Sequence, residues 1–187
     1  MSCPSRLTAF ASLALSLLLP PSAAAEVVKA GEQGFLARNR VTIAAPPAKV
    51  WAALIEPARW WNQEHSWSGK AANFSLDARA GGCFCERLAD GGSVEHQHVV
   101  MATPNRLLRL NGGLGPLQAE PVNAVMSWEL KADGERTILS QTYAVSGQAA
   151  GGLAGWATPV DGVIREQLER LQKLIETGAP AAAAAAK

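Results

Sequence analysis

Short segments in which apolar and polar residues alternate fill the middle of the chain. Alternation with a period of two is typical of a β-strand that buries one face. The gaps between these segments carry glycine, proline, asparagine or aspartate, the residues that tight turns need. The pattern therefore predicts an antiparallel meander of six strands, at residues 73–79, 83–88, 94–101, 106–111, 122–131 and 136–145.

Helical patterns flank this meander on both sides. After an alternating segment at residues 40–45, two prolines open a stretch with helical spacing at 48–55, and residues 58–61 predict a second short helical turn. Near the other end, residues 159–176 place apolar side chains on one side and charged side chains on the other. Such a helix needs a surface on which to bury its apolar side, and we expect the concave face of the sheet to provide it.

The first 25 residues have the pattern of a secretory signal peptide. A positive charge precedes an apolar run at residues 7–19 that is too short to span a bilayer, and three alanines favour cleavage before Glu26. The sequence therefore predicts a secreted, periplasmic protein with a single domain at residues 26–177. The alanine-rich segment at 178–187 offers little to bury and is predicted to be disordered.

The charge balance of the chain limits its partners. The formal net charge is +1, and cleavage of the leader would remove one arginine and leave the mature chain neutral. A neutral chain has no overall electrostatic attraction for a polyanion. We therefore expect no nucleic-acid partner and no stable membrane insertion, whereas the oligomeric state stays open.

Several local motifs accompany this order of elements: V-T-I-A-A-P-P-A-K-V-W at 41–51, P-A-R-W-W at 57–61, Gly81-Gly82 before a strand, T-P-N-R-L at 103–107 and the closing helix. Together, the motifs and the order of elements resemble the START-like or SRPBCC superfamily. The likeness covers residues 38–177 and is greatest to the polyketide cyclase or dehydrase and lipid transport group, and to the branch named for activators of the heat-shock ATPase. It implies an α+β helix-grip fold, in which a curved antiparallel sheet wraps around a long C-terminal helix and two short helices follow the first strand.

The resemblance also implies a cavity between the sheet and the C-terminal helix. Such a cavity would take a small hydrophobic molecule, a lipid or a polyketide-like compound, without a cofactor. Indole side chains can line a cavity and still hydrogen-bond what enters it, although the same side chains could instead fill a solid core. The predicted ligand-binding residues are Trp51, Trp60, Trp61, His65, Trp67 and Trp128.

Two cysteines and two histidines lie on neighbouring predicted strands. If a two-residue Asp90-Gly91 turn joins these strands, Cys85 lies opposite His96 and Cys83 opposite His98, and the four could hold zinc or copper. A shift of one residue would put the histidines and the cysteines on opposite faces, so small buried cysteines and ordinary polar histidines are the favoured interpretation. A disulfide between the cysteines is not expected, because residues two apart in extended backbone are held about 7 Å apart.

His65, Glu86 and His96 are the candidate catalytic residues. In a dry cavity such groups could move protons in an aldol cyclisation, a dehydration or a hydrolysis. Ligand binding is therefore the first hypothesis, and a cofactor-independent cyclase, dehydratase or hydrolase is the alternative. A third hypothesis, an adaptor that resembles the heat-shock activator branch, is disfavoured by the export signal.

Overall fold

A curved, unclosed sheet of eight strands forms the body of the computed structural model, which describes residues 24–182. All neighbouring strands run antiparallel, and their order across the sheet is 1-2-8-7-6-5-4-3 in chain numbering. The strands are β1 (Ala24–Gly31), β2 (Gly34–Ile43), β3 (Phe74–Leu76), β4 (Cys83–Arg87), β5 (Ser93–Thr103), β6 (Leu107–Asn111), β7 (Val122–Asp133) and β8 (Arg136–Gly147).

The two α-helices of the described chain are α1 (Pro47–Leu54) and α2 (Ala157–Thr177). Helix α2 packs on β1, β2 and α1, and it buries an apolar stripe that includes Ile164, Leu168 and Leu171. The helix ends at Thr177 and is followed by Gly178, whose φ of 83° is one that glycine adopts without steric cost. The α+β helix-grip fold is confirmed, since a long C-terminal helix lies against a curved antiparallel sheet.

Several element boundaries differ from the prediction. Strand β1 was not predicted, and β2 begins at Gly34 rather than at residue 40. Strand β3 is only three residues long, because the chain leaves the sheet after Leu76. The loop that follows packs its backbone at Asp77 and Arg79 against Gly82. The second helical turn is a 3-10 turn at Pro57–Arg59, and another follows at Gln63–His65.

A buried polar contact fixes α2 on the sheet. Asn39 of β2 donates from Nδ2 to Oδ1 of Asp161 on α2 at 3.0 Å and to Oε1 of Gln141 on β8 at 3.3 Å. Asn39 and Gln141 are almost fully buried, and Oδ1 of Asn39 has no hydrogen-bond partner within the described chain. Since buried polar groups favour the one arrangement that pairs them, this contact selects the position of α2 over β2 and β8.

The pairing of β4 with β5 changes register in the middle. Cys83 lies opposite His98 and Phe84 opposite Gln97, but Cys85 lies opposite Glu95. His96 is therefore an extra residue in β5, and both His96 and Gln97 face the interior. The predicted pairing holds for Cys83 and His98 but is wrong for Cys85 and His96, because this bulge shifts the ladder by one residue.

The ends of the chain carry the predicted leader and tail. The predicted signal peptide falls mainly on residues 1–23, and the end of the alanine-rich tail on residues 183–187, all of which lie outside the described residues. Within the tail, the carbonyl of Ala181 accepts a hydrogen bond from Arg170 of α2. Across residues 24–182, no helix is both long enough and apolar enough to cross a membrane.

Candidate functional site

A cavity of about 390 Å³ lies where the N-terminal half of α2 meets the loops around residues 64–67 and 114–116. Its volume is within the range of roughly 300–1,000 Å³ that is common for small-molecule sites. Its wall is mainly apolar, with a few polar groups. The apolar lining consists of Trp61, Trp67, Leu114, Pro116, Trp156, Pro159, Val160, Val163 and Ile164, and the polar lining of Glu64, His65, Ser66 and His96.

Hydrogen bonds join the first of these loops to α2. Glu166 of α2 accepts from Nδ2 of Asn62 at 2.6 Å and lies 3.2 Å from Nε2 of His65. The neighbouring Gln167, which is fully buried, accepts from the backbone N–H of Asn62 at 2.7 Å. Because these three contacts come from adjacent residues of one helical turn, they hold His65 at the edge of the cavity.

A buried acid–base pair reaches the cavity from the sheet. Glu86 of β4 is fully buried, and its Oε2 lies 3.0 Å from Nε2 of His96 on β5. The same carboxylate accepts from the backbone N–H of Trp67 at 3.1 Å and from that of Ser68 at 2.6 Å. Glu86 therefore connects the floor of the cavity to the loop that forms one of its walls.

The surroundings of the pair set its protonation. Burial alone would raise the pKa of Glu86, but the hydrogen bonds from Ser68, Trp67 and His96 outweigh it, and the pKa lies below its ordinary value. Burial also lowers the pKa of His96, and the attraction of Glu86 offsets only part of that effect. At neutral pH the carboxylate is thus ionised and the imidazole neutral. Since Nε2 donates to the carboxylate, Nδ1 carries the lone pair.

Aromatic rings surround His96 and exclude water from its flanks. The ring centroids of Phe74 and Phe84 lie 5.0 Å and 5.2 Å from that of His96, and Trp61 packs against both phenylalanines. Among the hydrogen bonds of the described chain, those of the His96 ring use Nε2 alone. The arrangement leaves Nδ1 as an acceptor of protons or hydrogen bonds in a site of low polarity.

A buried tyrosine supports the opposite wall. The hydroxyl of Tyr143 accepts from the backbone N–H of Leu114 at 2.9 Å and donates to the carbonyl of Gly112 at 3.2 Å. Burial raises the pKa of Tyr143 well above its ordinary value, so the hydroxyl keeps its proton at physiological pH. Tyr143 therefore ties the 112–116 loop to the sheet without itself lining the cavity.

The predicted tryptophans fall into two groups. Trp61 and Trp67 line the cavity, and Trp67 is 55% exposed at its rim. Trp60 and Trp128 are buried in the core, beside a void of only about 20 Å³, and Trp51 is buried on α1. The structure thus contains both of the arrangements considered from the sequence, a cavity at one end of α2 and a filled core beneath α1.

The cysteines and histidines proposed for metal do not converge. His96 faces the interior, whereas His98 is exposed and lies 3.3 Å from Glu95. Cys83 and Cys85 form a disulfide with a Cα–Cα distance of 5.4 Å, so the expectation of unbridged cysteines is wrong. The backbone is contracted between them, at the register shift, and is not extended as assumed. Residues 24–182 contain no group of three or more side chains placed to hold a metal ion.

Sequence reasoning missed part of the lining. Leu114, Pro116 and Trp156 were not proposed, although the Gly112-Gly113 step and Pro116 mark an irregular loop in which a wall could have been sought. Glu166 is one of the charged residues that the pattern places opposite the apolar side of the last helix, but it contacts His65 and Asn62. Helical periodicity reports which side is apolar, and it cannot show that a loop covers part of the polar side.

Comparison with known proteins agrees with this architecture. Residues 35–176 match the family model described as polyketide cyclase / dehydrase and lipid transport. The comparison with curated proteins finds no match.

Solved structures show the same fold at low identity. CalU16 from Micromonospora echinospora is 18% identical, with a TM-score of 0.53 over 84% of this chain and 85% of that one. A conserved protein of unknown function, EF2215 from Enterococcus faecalis, is 14% identical, with a TM-score of 0.57 over 85% and 80% of the two chains. The Aha1 dimer from Colwellia psychrerythraea is 16% identical, with a TM-score of 0.54 over 76% and 97%.

Proposed function

Because the chain belongs to the polyketide cyclase / dehydrase and lipid transport family, we propose that it binds a small hydrophobic molecule in the cavity beside α2. The observation that carries this proposal is the cavity itself, a space of about 390 Å³ with a mainly apolar wall. Apolar burial supplies the affinity of such a site, at about 25 cal/mol per Å² before the entropic costs of binding. The volume suits one ring system or one short acyl chain.

The polar groups of the cavity select the ligand further. His65 lies at the rim, and His96 offers an acceptor at the floor. A ligand with a hydroxyl group at one end and an apolar body would bond to His96 while its body contacts Trp61 and Val163. A hydroxylated aromatic compound of polyketide type has this chemistry.

A pair of matched substitutions tests whether the cavity binds ligands. Val163→Trp fills the cavity from α2, whereas Val100→Trp makes the same change on the outer face of β5, where Val100 is 45% exposed. Binding of anilinonaphthalene sulfonate, a medium-chain fatty acid and a hydroxylated naphthalene is measured by fluorescence and calorimetry. We expect Val163→Trp to weaken binding at least about tenfold, or ~1.4 kcal/mol, and Val100→Trp to have no effect. Wild-type affinity in Val163→Trp would refute the proposal.

A second function, proton transfer on the bound molecule, is favoured by the Glu86–His96 pair. A buried carboxylate that orients a neutral imidazole is the arrangement of a general base. Nδ1 of His96 would take a proton from an acidic C–H or O–H group of the ligand, and Glu86 would stabilise the resulting imidazolium. A cofactor-independent cyclisation, dehydration or hydrolysis can begin with this step.

Kinetics can separate catalysis from binding. If His96 is the base, turnover of a polyketide-like substrate should rise with pH as the imidazole loses its proton, and His96→Gln should abolish turnover. The same variant should still bind the hydroxylated naphthalene, within a few-fold of wild type. Turnover that survives His96→Gln would exclude this role.

Export is the third part of the proposal. It is supported by the apolar run at residues 7–19, by the small residues before Glu26 and by the Cys83–Cys85 disulfide, since such bridges persist mainly in oxidising compartments. Fractionation of the native host with N-terminal sequencing should yield a periplasmic chain that begins at Glu26. A cytoplasmic chain that retains residues 1–25 would refute export and revive the adaptor hypothesis.

A further inference from the structure

The Cys83–Cys85 disulfide lies on the outer face of the sheet, away from the cavity. Both cysteines are partly exposed, whereas Phe84 and Glu86, which alternate with them along β4, are buried. An attacking thiolate could therefore approach from solvent without opening the core. Access of this kind distinguishes exchangeable disulfides from structural ones.

The bridge does little to hold the fold together. Stabilisation by loop closure grows with the length of chain that a disulfide encloses, and this ring encloses only one intervening residue. Strand β4 is already fixed by pairing with β3 and β5 and by the contacts of Phe84 with Trp61 and Phe74. A structural role therefore leaves the bridge unexplained.

The neighbours of the two sulfur atoms differ. His98 lies directly opposite Cys83, on the same outer face, and its Nδ1 contacts Glu95. Among the contacts of residues 24–182, its Nε2 has no partner. Side chains directly opposite one another on paired strands have Cβ atoms about 5 Å apart, so the imidazole can reach the Cys83 sulfur. Cys85 has Glu95 opposite it and Arg87 two residues along its own strand, and these opposite charges give it no comparable stabilisation.

We propose that Cys83–Cys85 is a redox-active disulfide that accepts two electrons from a dithiol at the outer face of the sheet. A thiolate of the dithiol attacks the Cys85 sulfur, which breaks the bridge, forms a mixed disulfide at Cys85 and releases Cys83 as a thiolate. His98 in its imidazolium form stabilises this thiolate, because Nε2 can then donate to the sulfur while Nδ1 donates to Glu95. The second thiol of the dithiol then attacks the mixed disulfide and releases Cys85. The products are two cysteine thiols and the oxidised, disulfide form of the reductant, and the proposal does not depend on ligand binding in the cavity.

The first experiment asks whether the bridge exchanges while the protein stays folded. The protein, purified without reductant, is equilibrated with mixtures of reduced and oxidised dithiothreitol, quenched with iodoacetamide and analysed by mass spectrometry. We expect the bridge to be reduced while circular dichroism and tryptophan fluorescence stay unchanged. Reduction that occurs only together with unfolding, or thiols already free in protein isolated from an oxidising compartment, would overturn the proposal.

The second experiment tests the asymmetry between the two sulfurs. On the reduced protein, Cys83 should react with iodoacetamide several-fold faster than Cys85, and His98→Gln should bring the two rates close together. Val100→Thr, an exposed change further along the same face, should preserve the difference. Equal rates in the unsubstituted protein would contradict the role of His98.

A double variant checks that the bridge is not a structural requirement. Cys83→Ser with Cys85→Ser should fold, unfold at the same urea concentration as the parent and bind anilinonaphthalene sulfonate equally well. A chain that fails to fold would overturn the proposal in favour of a structural bridge. Loss of dye binding in Val163→Trp would bear on the cavity alone, so the two proposals fail separately.

Discussion

Replacing Glu86 with glutamine removes one charge from the centre of the site and keeps its shape. Glu86 accepts hydrogen bonds from the backbone N–H groups of Ser68 and Trp67 and from Nε2 of His96. A glutamine oxygen can replace only one of the two carboxylate oxygens, so its NH₂ group must face donors at the other. His96 can move its proton to Nδ1 and accept, but the N–H of Trp67 then has no acceptor.

The structure gives the size of the effect. A hydrogen bond to a charged group contributes about 1.5–3 kcal/mol, a neutral one about 1 kcal/mol, and an unpaired buried donor costs about 1–3 kcal/mol. Relief from burying the charge offsets part of this loss. We therefore expect Glu86→Gln to reduce the free energy of unfolding by about 2–4 kcal/mol. Glu95→Gln, an exposed change on the next strand, should stay within about 0.5 kcal/mol of wild type.

Urea unfolding followed by tryptophan fluorescence measures both variants, and pH adds a second test. The pKa of Glu86 is lowered in the folded state, so its contribution is fully present above the ordinary value of 4.5 and is lost as the pH falls through the folded-state value. The difference between wild type and Glu86→Gln should therefore shrink in acid. A neutral-pH difference below about 0.5 kcal/mol would refute the assignment of Glu86 as the acceptor of three bonds.

Two further substitutions test a wall of the cavity and a close backbone contact before β4. Tyr143→Phe removes both hydrogen bonds to the 112–114 loop and should cost about 1–2 kcal/mol in urea unfolding. It should also weaken binding of anilinonaphthalene sulfonate several-fold, and unchanged binding would show that the loop keeps its position without the hydroxyl. Gly82→Ala would push a Cβ into the carbonyl oxygen of Asp77 and should lower stability by about 2 kcal/mol or more, whereas Gly155→Ala, which meets open space, should be neutral. Equal stability of the two alanine variants would contradict the close approach at Gly82.

The fold could be predicted from the sequence because its signals are local and repeated. The alternation of apolar and polar residues predicted the strands of the meander. The apolar stripe of the last helix predicted the start of α2 to within two residues and its end to within one. Strand β1 was missed because part of it overlaps the small residues of the predicted cleavage site, which favoured its interpretation as leader. The turn at Glu32-Gln33, between Gly31 and Gly34, is the signal that could have revealed this hairpin.

The site could be predicted only in part, because it depends on a register shift and on loops. Whether His96 faces the cavity or the cysteines follows from one additional residue in β5, and the sequence allowed both registers. The partners of Glu166 and Gln167 lie about a hundred residues earlier in the chain, and no local pattern encodes such a contact. The sequence therefore indicates which residues can contribute to a site, but it does not indicate which of them contact one another.

A reporter group attached to strand β4 could detect changes in the cavity without modifying any side chain that lines it. The sulfur atoms of this strand face solvent, while Phe84 and Glu86 between and beside them line or support the interior. A fluorophore or spin label coupled to Cys85, with Cys83 replaced by serine, would be attached to the residue next to Glu86 of the acid–base pair. The signal of the label would report ligand binding in the cavity, and the label would not compete with the ligand because it lies on the opposite face of the sheet.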